Sequence, residues 1–483
     1  MKSKKLSDKV AGSMVWSMAE KTGSILLQLG ISIVVARRLA PDDYGVMAIL
    51  TVFSAVALII VDSGFSQALI RGPEPSADDY KSVFGFNIVM SAGAYLLLTA
   101  VSPLLARIYD EPVLTRLAPV LFLLLPVNAL GVIQNTVLTR QFRFDIISKI
   151  VFASSLAGGV LAVTMAMTGC GVWSLVGQRL GQMAAKSALL WRYGRWRPSR
   201  GWQPEPLKRL SPFGLRILFA DLVNTIYNNI SSLFVGRMSV TTLGFFNQAQ
   251  KLKDVPVLAT TQSVQNVTFP ALSRLDGEPQ KFTESYRQIL AVTAFVMFPV
   301  MAGLAAVADD MFILLLGEKW MPTVPYFKVL CLTGLFAPLA SVALNVLKVR
   351  SDGRIIVRIE IIKKVVMTVI LAVTIPMGVG ALVWGLAVAA AVEMTVNFVA
   401  AARFSGSGAG MPVRTLLPTA AVTAAMYGAV VGVLRMMPDA AVAVRLAAGV
   451  AAGVTSYAAL AVVLRIEAAA QVGKIARRFM GVK

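Results

Sequence analysis

The chain of 483 residues has no histidine, only two cysteines and only 15% charged residues. Each shortage closes a class of function. Without histidine there is no imidazole general base and no histidine metal ligand. Cys170 and Cys331 cannot form a disulfide framework and lack metal-type spacing. No GxxxxGK[ST] loop is present, so nothing points to an ATPase of its own. Acidic residues are scarce as well, 25 against 46 Lys and Arg, giving a formal charge of +21. Nothing here predicts an enzyme, a cofactor or a bound metal.

Apolar residues, by contrast, make up 57% of the chain, with a mean hydropathy of +0.71. Runs of about 17 to 25 apolar residues recur along the whole length, each enough to cross a hydrocarbon core of about 30 Å as a helix. The expected fold is an all-α integral membrane protein of about 14 spans: 13–36, 46–64, 83–105, 117–138, 150–168, 172–191, 213–235, 244–272, 288–308, 324–347, 359–377, 380–402, 415–434 and 446–464. The eighth and eleventh are the most heavily charged, which leaves 13 as the alternative count. The first segment is too long, and too charged at Glu20 and Lys21, for a cleavable signal, and reads as an uncleaved span.

The positive charge is spread over short loops, with no soluble basic domain to hold it, so nucleic acid is not an expected partner. Orientation accounts for it better. With the N-terminus inside, about 29 Lys and Arg fall in cytoplasmic segments and about 8 in outer ones, an N-in/C-in arrangement. The loop "WRYGRWRPSRGWQPEPLKRL" contributes most of the inside charge.

A repeat crosses the midpoint. "ARRLAPDDYGVM" places Arg38 seven residues before Gly45, and "GRMSVTTLGFFN" places Arg237 seven before Gly244. "QALIRG" then matches "PALSRL", and Tyr80-Lys81 matches Tyr286-Arg287, the offset drifting only from 199 to 206. Duplication of a six-span unit follows, and an even number of spans keeps the repeats parallel, so two pseudo-symmetric lobes should face each other across a cavity. The expected domains are 1–192 (spans one to six), a basic cytoplasmic linker 193–212, 213–402 (spans seven to twelve), and 403–483 with two added spans and a basic tail. Arg37 and Arg38 then lie on the outer face as interface anchors.

Ionisable groups at membrane depth are costly unless they face water or a partner, so each is a candidate. The cationic candidates for a cavity site are Arg179, Lys186, Lys21, Arg216, Lys251 and Lys253. Arg179 and Lys186 lie two turns apart on one face of span six. Gln28, Asn128, Asn135, Asn224 and Asn228 are candidate polar lining, with Asp221, Asn224 and Asn228 sharing a helix face. Glu20, Asp221, Glu360 and Glu393 are candidate coupling carboxylates. Against these stand local compensation for Glu20 beside Lys21 and Lys253 beside Asp254, and snorkelling for Lys363 and Lys364.

"VVARRLAPDDYGVMAI", "FPALSRLDGEPQKFTESYRQ" and "LLGEKWMPTVPYFKVL" together resemble signatures of the Wzx-type polysaccharide flippases of the multidrug/oligosaccharidyl-lipid/polysaccharide exporter superfamily. The resemblance implies two six-helix lobes and an inner-membrane flippase. Its cargo would be an undecaprenyl-diphosphate-linked oligosaccharide for lipopolysaccharide, exopolysaccharide or capsule. Membrane lipids, a polysaccharide polymerase, glycosyltransferases, and protons or sodium as coupling ions are the partners it suggests. A peptidoglycan lipid-precursor flippase and a drug/cation antiporter are the rival readings.

Overall fold

The computed structural model describes residues 23–24, 27–72, 74–198, 203–408 and 410–472. Among them the chain is helical throughout, without strands. The described part of the first predicted span, residues 23–24 and 27–36, is helical, the helix running on to residue 38. Every later predicted span coincides with helix: α1 (Pro41–Asp62), α3 (Ala77–Tyr109), α4 (Val113–Phe122) with α5 (Leu124–Arg140), α6 (Phe144–Met167), α7 (Trp173–Tyr193), α8 (Glu205–Met238), α9 (Val240–Arg274), α10 (Pro279–Ala306), α12 (Thr323–Arg350), α13 (Gly353–Thr374), α14 (Val379–Ser405), α15 (Met411–Arg435) and α16 (Val442–Val463). Two short helices, α2 (Phe65–Arg71) and α11 (Ala308–Leu316), complete the order.

Nine of these segments are long and apolar enough to cross a membrane, α4 and α5 together counting as one. Four long helices miss that test, α7, α8, α9 and α13, of 21, 34, 35 and 22 residues. These four hold Arg179 and Lys186, Arg216 and Asp221, Lys251 and Lys253, and Glu360. Their polarity is therefore the candidate chemistry itself, set on helices of spanning length.

Local sequence explains the ends and breaks. The stretch "APDDYG" starts α1: Pro41 opens the helix, where its missing amide costs nothing, and Asp42 and Asp43 occupy the first turn, where the dipole favours acids. Asp43 accepts the Ala40 amide at 3.0 Å. The fourth predicted span breaks at Leu123 because Pro126 has no amide to give the Phe122 carbonyl and crowds it. At the start of α3, Ser76 and Asp79 form a reciprocal capping box, and Asp79 also takes Arg209 at 2.5 Å.

The chain divides into two compact units, residues 1–244 and 245–483. In the first, α6 and α7 pack tightly through small residues: a Cβ at Gly158 would come within 2.7 Å of the Gln178 carbonyl oxygen. The two signature glycines also meet within this unit. A Cβ at Gly45 would overlap the Val240 carbonyl oxygen, and one at Gly244 would overlap that of Pro41. Thr241 donates to Asp42 beside them, the two residues 199 apart, which is the repeat offset itself. The glycines of the repeat are thus explained by close backbone approach. In the second unit, Phe282, Tyr286, Leu290 and Phe298 of α10 pack with Leu339, Val342 and Val346 of α12 and Phe398 of α14.

One clasp recurs in both units. Arg140, ending α5, donates through Nη1 to the carbonyls of Leu69, Ile70 and Gly72 at 2.5, 3.1 and 2.6 Å, gathering the end of α2. Arg350, ending α12, donates to the Asp276 carboxylate and carbonyl, both at 3.0 Å, and to the Phe404 carbonyl at 3.1 Å, over the Phe282 ring. Each arginine ends the fourth span of its repeat and holds the turn that follows the second.

Candidate functional site

The first unit contains an open cavity of about 210 Å³ among α1, α2, α5 and α7, whose polar lining includes Asp62, Ser66, Asn128, Asn135 and Lys186. Each side chain is placed for a local reason. Asp62 is the last residue of α1 and accepts the Ser66 hydroxyl one turn on, in α2. Asn128 and Asn135 are two turns apart and so share a face of α5, while Lys186 comes from α7, which packs against α5. Gly131 also lines the cavity; a Cβ there would sit 3.0 Å from Leu190, so its absence leaves room for the approach of α7. Close by, Gln67 donates to Asp221 of α8 at 3.3 Å, and Asp221 lies near enough to Asp62 for their charges to interact.

Three sequence candidates, Asn128, Asn135 and Lys186, therefore meet at one cavity. Among the described residues, no carboxylate forms an ion pair with Lys186 or with the exposed Arg179 on the same helix. Lys186, beside donor amides and with Arg179 two turns away on the same helix, suits an anionic ligand. Asp62 is the residue sequence reasoning missed. Its signal was an acid at the C-terminal end of a long apolar helix, where the dipole disfavours negative charge.

The remaining candidates fall elsewhere. Arg216, Asn224 and Asn228 are exposed along α8, and Gln28 is exposed on the first helix. In the second unit Lys251 is exposed, whereas Lys253 is 13% exposed and paired with Asp254 at 2.6 Å. Glu360 and Glu393 come together on one cation: Lys363, 9% exposed, sits 2.6 Å from Glu360 and 2.8 Å from Glu393, joining α13 to α14. Snorkelling does not describe Lys363, because two carboxylates hold it inside the helix pair. Glu20 and Lys21 lie outside the described residues. The described residues contain no cluster of acids and cysteines that could hold a metal.

Residues 34–325 match the family described as "Polysaccharide biosynthesis protein". The chain belongs to that family. The match spans 60% of the sequence and includes the signature around Gly45, the 210 Å³ cavity and the "GEKW" element. Among curated relatives, the teichuronic acid biosynthesis protein TuaB of Bacillus subtilis is 29% identical over 58% of this chain and 58% of its own length. The chain thus spans less than two thirds of that relative. The succinoglycan biosynthesis transport protein ExoT of Rhizobium meliloti is 25% identical over 68% of this chain and 67% of its own. The lipopolysaccharide biosynthesis protein WzxC of Escherichia coli is 23% identical over 68% of each. In fold, the chain is similar to a solved lipid II flippase MurJ, with a TM-score of 0.70 over 93% of this chain and 99% of that one at 11% identity. A MATE family transporter of the MOP superfamily is similar at a TM-score of 0.61, covering 79% and 94% at 14% identity. The apolar helices and the shared fold agree on a multi-pass membrane protein.

Proposed function

We propose that the protein is a flippase of the bacterial inner membrane. It would carry an undecaprenyl-diphosphate-linked oligosaccharide from the cytoplasmic to the periplasmic leaflet for assembly of a cell-surface polysaccharide. The observation that carries this reading is the cavity of the first unit, where Lys186, Asn128 and Asn135 converge beside Asp62, with no carboxylate among the described residues at ion-pair distance from the lysine. An oligosaccharide diphosphate cannot enter hydrocarbon unaided, since each unpaired polar group would cost several kcal/mol. Lys186 and Arg179 supply charge for the diphosphate, and the amides and hydroxyls supply hydrogen bonds for sugar. Lys21, Arg216 and Lys251 are further cations proposed for the cargo, whereas Lys253 is taken up by Asp254, and the polyprenyl tail stays in lipid. Transport proceeds by alternating access.

The cell interior is negative, so each negative charge moved outward gains about 2.3 kcal/mol per 100 mV. Glu20, Asp221, Glu360 and Glu393 are the groups through which protons or sodium would couple to the cycle. Lys and Arg outnumber Asp and Glu on the polar helices, which argues against a cavity for cationic drugs. A peptidoglycan lipid precursor shares the diphosphate, and complementation of a strain lacking that essential flippase separates the two.

The test is replacement of the cavity lysine together with Arg179, two turns away on the same helix. In a strain deleted for the gene, the R179A/K186A protein, shown by immunoblot to reach the membrane, should fail to restore polymer export. Normal export with that variant would remove the cationic-site assignment.

A further inference from the structure

At the C-terminal end of α7, just past Leu190 of the first cavity, lies a second cavity of about 530 Å³, opening on the loop that the proposed orientation places in the cytoplasm. Four arginines line it, Arg143, Arg192, Arg195 and Arg197, with Tyr193 and Gly194. One carboxylate answers them: Asp145 lies 3.4 Å from Arg143. Among the described residues, Arg192 and Arg195 have no carboxylate within ion-pair distance.

This loop is built, not loose. Trp191 donates its indole N–H to the Leu130 carbonyl at 2.8 Å, and Gln134 donates to the Trp196 carbonyl at 2.8 Å. Both tryptophan rings contact Phe84 of α3, with centroids at 6.5 and 5.3 Å. Gly194 passes so close to Gln134 that a Cβ would overlap its side-chain oxygen. Arg197 donates to the carbonyls of Gly194 and Trp196, both at 2.9 Å, and lies over the Trp191 ring. The chain is thus pinned to α3 and α5 from 191 to 197, with Arg195 exposed at its surface and Arg192 exposed over the Tyr193 ring, 5.9 Å from its centroid. The conformational cost of ordering these two arginines falls on the ligand alone, because the backbone that holds them is already fixed.

The surroundings are those of a membrane boundary. Phe142 and Phe144, on either side of the lining residue Arg143, and Tyr193 of the lining itself are exposed, 61, 37 and 50%. Phe142 also adopts a left-handed backbone, φ 55°, uncommon for a bulky aromatic. Exposed aromatic rings beside arginines are the composition of the headgroup level, and basic pockets on the cytoplasmic side of spanning helices suit anionic lipid heads. Guanidinium forks match phosphate oxygens two at a time.

We propose that this four-arginine cavity is a binding site for a lipid headgroup carrying two phosphates, taken from the cytoplasmic leaflet. The net charge of the wall, four guanidiniums against one carboxylate, exceeds what a single phosphodiester balances. Two sources share this chemistry: the diphosphate of a polyprenyl-linked cargo, and a resident bisphosphate phospholipid. The first source rests on the flippase reading; the site itself does not.

The test uses full-length protein in nanodiscs of zwitterionic lipid, titrated with farnesyl diphosphate, cardiolipin, phosphatidylglycerol and inorganic pyrophosphate, with the fluorescence of Trp191 and Trp196 as readout. The wild type should bind at least one two-phosphate lipid more tightly than phosphatidylglycerol or pyrophosphate, and R192A/R195A should weaken that binding at least tenfold. Neither arginine makes a hydrogen bond to described residues, so the variant should melt as the wild type does. R195E, a single charge reversal, gives the same direction should the double variant misfold. A selective loss for farnesyl diphosphate assigns the site to the cargo, and one for cardiolipin to a resident lipid; both uphold it. Equal affinity of variant and wild type for every probe overturns the proposal. So does pyrophosphate binding as tight as that of the lipids. Should deletion of the gene leave lipid-linked repeat units undisturbed, the flippase reading falls while the binding result stands.

Discussion

Replacing Lys363 by methionine should destabilise the second unit through the two acids it leaves behind. The ammonium lies 2.6 Å from Glu360 and 2.8 Å from Glu393, and its own side chain is only 9% exposed. Breaking a fully buried pair by removing one partner costs about 3–5 kcal/mol, whereas an exposed pair is worth about 0.2–1 kcal/mol. The carboxylates here are 40 and 48% exposed, which places this triad between those limits, at about 1–3 kcal/mol. Methionine keeps the length of the stem, so packing between α13 and α14 is largely retained. The quantity to measure is the melting temperature of purified protein in detergent. At roughly 2–4 °C per kcal/mol for a unit of this size, K363M should melt several degrees below the wild type. Adding E393Q to K363M should return more than half of the loss, because the surviving acids then no longer repel. E393Q alone should cost less than K363M, since Lys363 keeps Glu360. A K363M protein that melts with the wild type, or a double variant no better than the single, would refute the ion-pair reasoning.

Three further outcomes follow from the packing and charges of the same molecule. Gly45→Ala forces a methyl group into the Val240 carbonyl, which cannot swing aside as a side chain would. Overpacking of this kind costs about 1–3 kcal/mol or more, so membrane yield and melting temperature should both fall. Arg140→Lys retains the charge on a shorter stem that no longer carries a nitrogen to the place where Nη1 gathers three carbonyls. With charged hydrogen bonds worth about 1.5–3 kcal/mol each, protease cleavage after α2 should accelerate in the variant and not in R107K, an exposed control. Glu111, in the turn between α3 and α4, is held above the usual carboxylate range by burial, then by Asp42 and Asp110. A carboxyl whose folded value is raised contributes stability at low pH that is lost as pH rises through that value. E111Q should therefore melt above the wild type at neutral pH, with the difference vanishing as the medium is acidified; a constant gap at all pH values would sink that assignment.

Much of the fold was legible because a spanning helix must satisfy its own backbone in lipid, and the apolar runs that do so are hard to mistake. Helix lengths were underestimated where polar turns continue beyond the apolar run, as at Ala77–Tyr109 and Glu205–Met238, because the apolar count ends where the helix does not. The repeat was legible in its glycines, whose cause is the backbone contact of Gly45 with Val240 and of Gly244 with Pro41. Side-chain partnership was less so. Lys186, Asn128 and Asn135, singled out because unpaired polarity at depth is rare, line one cavity, while Lys253, against which local compensation stood, is paired with its neighbour Asp254. Lys363 was read as reaching for the surface, since sequence shows its neighbour Glu360 three residues before it but not Glu393 on the facing helix. Asp62 escaped notice because it stands at a helix end, where an acid ordinarily meets water.

The most direct test of transport is the leaflet in which the cargo waits. Lipid-linked repeat units in inner-membrane vesicles of known orientation, from wild-type and deleted strains, should be probed with a membrane-impermeant glycosidase or lectin. Accumulation on the cytoplasmic leaflet in the deleted strain, reversed by the wild-type gene and not by R179A/K186A, is the predicted result. Repeat units that reach the periplasmic leaflet at the normal rate without this protein would contradict the account.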